Sequence, residues 1–168
     1  MTITMYSASV PKFLGILKNL SEILAKAEAH AFARKIDPAV LLGARLYPDM
    51  FPLTRQVQIA CDTVKGAVAR LGGVDVPKHE DTEASFAELQ QRIAKVIALA
   101  ESVPAASIEG TEDKRIVLTI RGEEVPFTGL QYLTGFVLPN FYFHVTVAYA
   151  ILRHSGVELG KRDFLGNP

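Results

Sequence analysis

Thiols are nearly missing from this chain: Cys61 is the single cysteine among 168 residues, and tryptophan is absent. A lone cysteine excludes a disulfide framework and a zinc cage built from thiolates. An excess of one charge is missing too, since Lys plus Arg number 18 and Asp plus Glu number 18. Nucleic-acid binders normally gather a basic excess on one face, so no nucleic-acid partner is expected. Disorder needs low hydrophobicity with high net charge, whereas 49% of these residues are hydrophobic. There is no glycine-rich phosphate loop, no internal repeat and no low-complexity tract. The stretch from Met1 to Ser9 has no basic segment followed by an apolar core, so no secretory signal is expected and the cytoplasm is the expected compartment. At this length a single domain over 1–168 is expected. Such a chain buries about two-thirds of its unfolded surface and needs no metal or disulfide staple.

Charge is also absent from Val125 through Leu152, a run long enough to raise the question of a membrane span. Pro126, Gly129, Gln131, Gly135, Pro139, Asn140 and His144 interrupt it. In lipid, Asn140 and His144 would lack partners at a cost of several kcal/mol. The part between Pro139 and Arg153 is also short for a hydrocarbon core of roughly 30 Å. The expectation is a deeply buried helix with a polar spot in it, and no membrane partner.

Four segments carry apolar residues at helical spacing. The first runs from about Val10 to Ala33 through Phe13, Ile16, Leu17, Leu20, Leu24, Ala27 and Ala31, with Ser9 as cap and Pro11 in its first turn. Asp37-Pro38 restarts the chain as cap and first helical residue. Pro48 and Pro52 break the second segment beyond Leu46. Leu53, Val57, Cys61, Val64, Val68 and Leu71 then give the cleanest stripe, ended by Gly72-Gly73. After a loop from Val74, the third helix is expected to start near Asp81-Thr82 with Glu83 in its first turn. Its face is Phe86, Leu89, Ile93, Val96 or Ile97, and Ala100. Two β-branched runs, Arg115–Ile120 and Glu123–Phe127, flank Arg121-Gly122 and predict a small hairpin. Leu130–Leu138 reads as one or two helical turns. The fourth helix is expected from Pro139 to about His154, followed by a tail rich in glycine. These elements predict an all-α, up-down four-helix bundle with a β-hairpin inserted before the last helix. The last helix has no fully polar face, so either the hairpin and tail or a second copy of the chain must cover it. A homodimer is the expected partner.

Of the four histidines, His30, His79 and His154 read as ordinary surface, loop and helix-end residues. His144 lies mid-helix among apolar neighbours and needs a partner. Asn140 is one turn earlier on the same face, and Gln58 and Asp62 have the same spacing on the second long helix. Two readings stay open. In one, neutral His144 bonds Gln58 or Asp62 in a buried network that serves packing. In the other, Gln58, Asp62, Asn140 and His144 line a pocket for a divalent ion or a small polar ligand. Amides are weak metal ligands, and a strong site usually has two or three histidines. Cys61 in an apolar stripe reads as an inert core thiol. No Ser-His-Asp set can be assigned.

Five stretches carry a family resemblance: LYPDMFPL at 46–53, QVQIACD at 56–62, LPNFYFH at 138–144, AYAILR at 148–153 and LGKRDFLG at 159–166. They resemble the bacterial family known as domain of unknown function nineteen-ninety-three, placed in the DinB/YfiT-like superfamily. The resemblance implies a four-helix bundle, frequently dimeric, of a kind in which many members hold a divalent ion with three histidines and act as metalloenzymes or thiol-dependent transferases. By that resemblance His144 matches the second histidine of the last helix's H-x-x-x-H pair, Asn140 falls where the first would stand, and Gln58 lies near the second helix's ligand position. His144, Asn140 and Gln58 are thus the implied metal position, with zinc or nickel as the implied ion. Only one histidine of three is kept, which weakens metal binding severely.

Overall fold

Ser9, Val10 and Pro11 open the first long helix as expected, but the chain is helical before it. The structure is a computed structural model describing residues 2–166; Met1, Asn167 and Pro168, which complete the expected domain and tail, lie outside the described residues. A single turn, α1 (Met5–Ala8), is closed by a capping box between Thr4 and Ser7. It precedes α2 (Val10–Arg34). Ser9 stands at the α2 N-cap position without capping it: its hydroxyl donates back to the Met5 carbonyl at 2.6 Å. Asp37 caps α3 (Pro38–Leu42) by accepting the Ala39 N–H, and Pro38 needs no partner at the first position. The prolines keep the chain non-helical until α4 (Leu53–Gly72), which Gly73 ends in the left-handed conformation at φ 74°.

The helix α5 (Phe86–Ser102) begins later than Asp81. Ser85 accepts the Glu88 N–H at 3.2 Å, and Glu88 accepts the Ala84 N–H at 2.7 Å. Asp81 and Glu83 are instead drawn to Arg92, so the true N-cap is Ser85. After a turn, α6 (Ala105–Ile108), strands β1 (Ile116–Ile120) and β2 (Glu123–Phe127) pair antiparallel with Val117 opposite Pro126. Arg121 and Gly122 both have positive φ, 54° and 86°, the signature of a two-residue turn whose twist matches the strands.

The last long helix departs most from expectation. It starts at Gly129 rather than Pro139, as α7 (Gly129–Gln131), a π-helical stretch Tyr132–Val137, and α8 (Leu138–His154) without a break. A proline collides with the carbonyl four residues back in a regular helix, and the widened turns just before Pro139 relieve that clash. The continuous 26-residue helix Gly129–His154 is long and apolar enough to cross a membrane by length and composition, with 44% of its most apolar window buried inside the fold. The length argument against a span therefore falls, while the helix is packed against protein: Phe141, His144, Val145, Ala148, Ile151 and Leu152 are buried. The short α9 (Lys161–Leu165) folds onto α2 through an Asn19 bond to the Phe164 carbonyl and a Lys26–Asp163 ion pair.

The chain is mostly helical with one small hairpin. The core lies among α2, α4, α5 and α8, with α4 packed against both α5 and α8 and α2 against α5. Phe13 and Phe141 meet edge to face at 5.4 Å across it. The helix α4 therefore has two polar borders, one toward α8, where Asn140 and His144 lie, and one toward α5; Gln58 and Asp62 lie on α4 itself.

Candidate functional site

The imidazole of His144 is turned into the interior, 8% exposed, and meets α4. Its partner is neither Gln58 nor Asp62 but Gln56, whose Oε1 lies 2.7 Å from His144 Nδ1. The Gln56 amide nitrogen donates to the Phe51 carbonyl at 3.0 Å, so its oxygen is the acceptor and His144 carries its proton on Nδ1. Burial, and after it the charge of Arg55, holds His144 below its ordinary value of 6.5. The ring is neutral at physiological pH. One turn earlier, Asn140 donates to the Thr63 hydroxyl at 2.8 Å, and that hydroxyl donates to the Ile59 carbonyl.

Gln58 and Asp62 do not join them. Positions 56 and 58 are about 200° apart around a helix of 3.6 residues per turn, so when Gln56 faces α8, Gln58 faces α5. Gln58 donates to Glu83 at 2.9 Å and accepts from Arg55 at 3.3 Å. Asp62 takes Arg92 at 2.9 Å and Lys65 at 2.7 Å. Arg92, 2% exposed, also pairs with Asp81 and Glu83 at 2.9 Å each and donates to the Glu80 carbonyl at 3.1 Å. Asp81 pairs in turn with Arg55. Burial pushes the Glu83 carboxyl up, but hydrogen bonds from Arg92 and Gln58 outweigh it and hold the group below its ordinary range. This network pins the loop 74–85 against α4 and α5. The four expected residues thus form two sets, His144–Gln56 with Asn140–Thr63, and Gln58 and Asp62 with Arg92.

A metal held by three imidazoles, as the resemblance implies, does not fit this donor set. Among the described residues no three His, Cys, Asp or Glu side chains are grouped to hold an ion. His144 is the one imidazole at the position, its Nδ1–H is committed to an amide, and Gln58 is on the opposite border of α4. Cys61 offers no nucleophile either: burial pushes its thiol up to about 12.

The space that does open beside the expected residues is a groove of about 340 Å³ where α4, α8, the π-helical stretch and β1 meet. Asn140, Thr63 and Asp62 line it with Ile59, Leu118, Thr119, Phe136, Tyr132, Arg55 and Arg70. Gln58 and His144 are not on its wall. Arg92, Gln56, Thr63 and Arg70 were all missed by sequence reasoning. Arg92 could have been found, because it lies between Leu89 and Val96 in the apolar stripe where a surface charge has no place.

The chain matches, over residues 5–165, the model of a family described as Domain of unknown function (DUF1993). No curated protein matches it. Among solved structures it is similar to the crystal structure of a DinB family member protein from Shewanella denitrificans, at 46% identity and a TM-score of 0.87, over 97% of this chain and 92% of that one.

Proposed function

The chain belongs to the DUF1993 family of DinB-like proteins, and on that premise we propose that it is an up-down four-helix bundle binding a small polar ligand in the groove beside Asn140. The superfamily's metal position is here a closed hydrogen-bonded pair in the core. The observation that carries the reading is the split of the expected residues: His144 is consumed by Gln56, while Asn140 and Thr63 remain on the wall of an open cavity. Its volume is at the lower end of the range typical of small-molecule sites, roughly 300–1,000 Å³. A ligand-detected NMR screen of small polar molecules, with protein amide shifts followed, tests it. Shift changes concentrated at Thr63, Thr119 and Asn140 are expected; hits that map elsewhere, or none, would refute it.

A homodimer is a second, compatible part of the proposal. Gly135, Pro139, Phe143 and Thr146 form an uncharged exposed stripe along the last helix, with Phe143 56% exposed, and neither hairpin nor tail covers it. Phe143 on this uncharged stripe is the aromatic anchor that such an interface would bury.

A further inference from the structure

Among the described residues, Arg70 is the one groove charge with no partner of opposite sign. Arg55 is paired with Asp81, and Asp62 is shared between Arg92 and Lys65, so the other charges on the wall are balanced. Arg70 has no carboxylate within ion-pair distance among the described residues; its guanidinium makes one side-chain bond, to the Tyr132 hydroxyl at 3.2 Å. Tyr132 is itself buried and stacked on Phe136 at 6.1 Å, so its oxygen is a fixed anchor. The hydroxyl accepts from Arg70 and finds no acceptor of its own among the described residues, which leaves its proton free to turn to a ligand.

The guanidinium is also given room to lie where it does. Gly66, one turn back on α4, is in mid-helix, where glycine costs roughly 0.5–1 kcal/mol relative to alanine. A methyl group at that position would overlap the Arg70 Nη1 and touch the Tyr132 oxygen. The glycine thus lets the arginine fold back across its own helix onto the groove wall. A planar fork of donors beside a free hydroxyl, with Ile59, Leu118 and Phe136 along the cavity, matches an oxyanion carried on an apolar body.

We infer that the groove is an anion site: Arg70 and Tyr132 hold the carboxylate or phosphate of a small organic acid whose apolar part lies on Leu118 and Phe136 and whose far end reaches Asn140. The inference rests on the groove being the ligand site, and the two can fail separately. Phenylacetate and phenyl phosphate serve as anionic probes and benzyl alcohol as the uncharged one, titrated against the full chain by protein-observed NMR. Both anions should shift Tyr132, Thr119 and the Arg70 side-chain Nε–H, and benzyl alcohol should bind more weakly by at least about tenfold, the weight of a charge-assisted bond. Arg70→Gln should remove that preference, and Gly66→Ala, which keeps the charge but displaces it, should weaken the anions while sparing benzyl alcohol. Equal binding of all three probes in the groove would overturn the anion assignment and keep the groove. Absence of any groove shift would overturn both. Should Arg70→Gln fail to fold, the Arg70 Nε–H response in the unaltered protein decides: a shift with the anions and none with benzyl alcohol supports the assignment, and the same response to all three refutes it. If phenyl phosphate alone binds, the ligand is a phosphate ester; if phenylacetate alone, a carboxylic acid.

Discussion

Neutral imidazole is a condition of this core at the level of single residues. His144 titrates below its ordinary 6.5 because burial and Arg55 disfavour its cation, so the folded state binds fewer protons than the unfolded one in that region. The stability it contributes is complete above about pH 6.5 and declines as pH falls toward the folded value. Melting temperature should therefore drop as pH is lowered from 6.5 toward about 5, and less so in His144→Gln. His79, lowered chiefly by burial, acts in the same direction, so His79→Gln is the control. Carboxylates such as Glu83 are lowered from 4.5 and add their loss only in more acid solution. His144→Ala strands the Gln56 oxygen and should cost about 1–3 kcal/mol in denaturant unfolding, the desolvation penalty of an unpaired buried group. Cys61, raised to about 12, should resist a thiol reagent at about pH 8 in the folded protein and react once unfolded. Rapid reaction of the native protein would contradict that burial.

At the scale of elements, two helix starts separate what a sequence states from what the fold decides. The stripes of α2 and α4 are legible because a single apolar line every three or four residues survives any packing partner. The start of α5 was not, because Asp81 and Glu83 look like first-turn acids and are in fact counter-ions of Arg92, a residue reached only through tertiary packing. Ser85→Ala should lower stability by about 1 kcal/mol, the usual cost of a lost N-cap; Thr82→Ala should be close to neutral, since the helix starts beyond it at Phe86. Pro139 marked a helix start in the sequence and is instead inside one, since the π-helical stretch before it absorbs the clash. The family of the site was legible in the same way and its pairing was not. Asn140 and His144 do face α4, yet which border of α4 they meet is fixed by its rotation about its own axis, and a shift of two residues exchanges Gln58 for Gln56.

At the scale of the whole molecule, Arg92 and the uncharged stripe of the last helix are the features with the widest reach. Arg92→Met should destabilise by about 3 kcal/mol, the low end for removing one partner of a buried ionic network, because Asp62 and Asp81 keep access to water. A larger protease sensitivity in the loop 74–85 should accompany it. If the last helix is a dimer face, sedimentation should give a dimer at micromolar concentration that Phe143→Asp converts to monomer without loss of helix content; a monomeric parent would end the dimer proposal.

The central claim is that His144 is a neutral core residue whose ring is committed to Gln56 rather than to a metal ion, and 15N NMR of its ring reads this directly. The expected spectrum shows a protonated Nδ1 and an unprotonated Nε2, a titration midpoint below 6.5, and no change on adding zinc or nickel. A midpoint above 6.5, the opposite tautomer, or a metal-dependent shift of Nε2 at stoichiometric ion would contradict it.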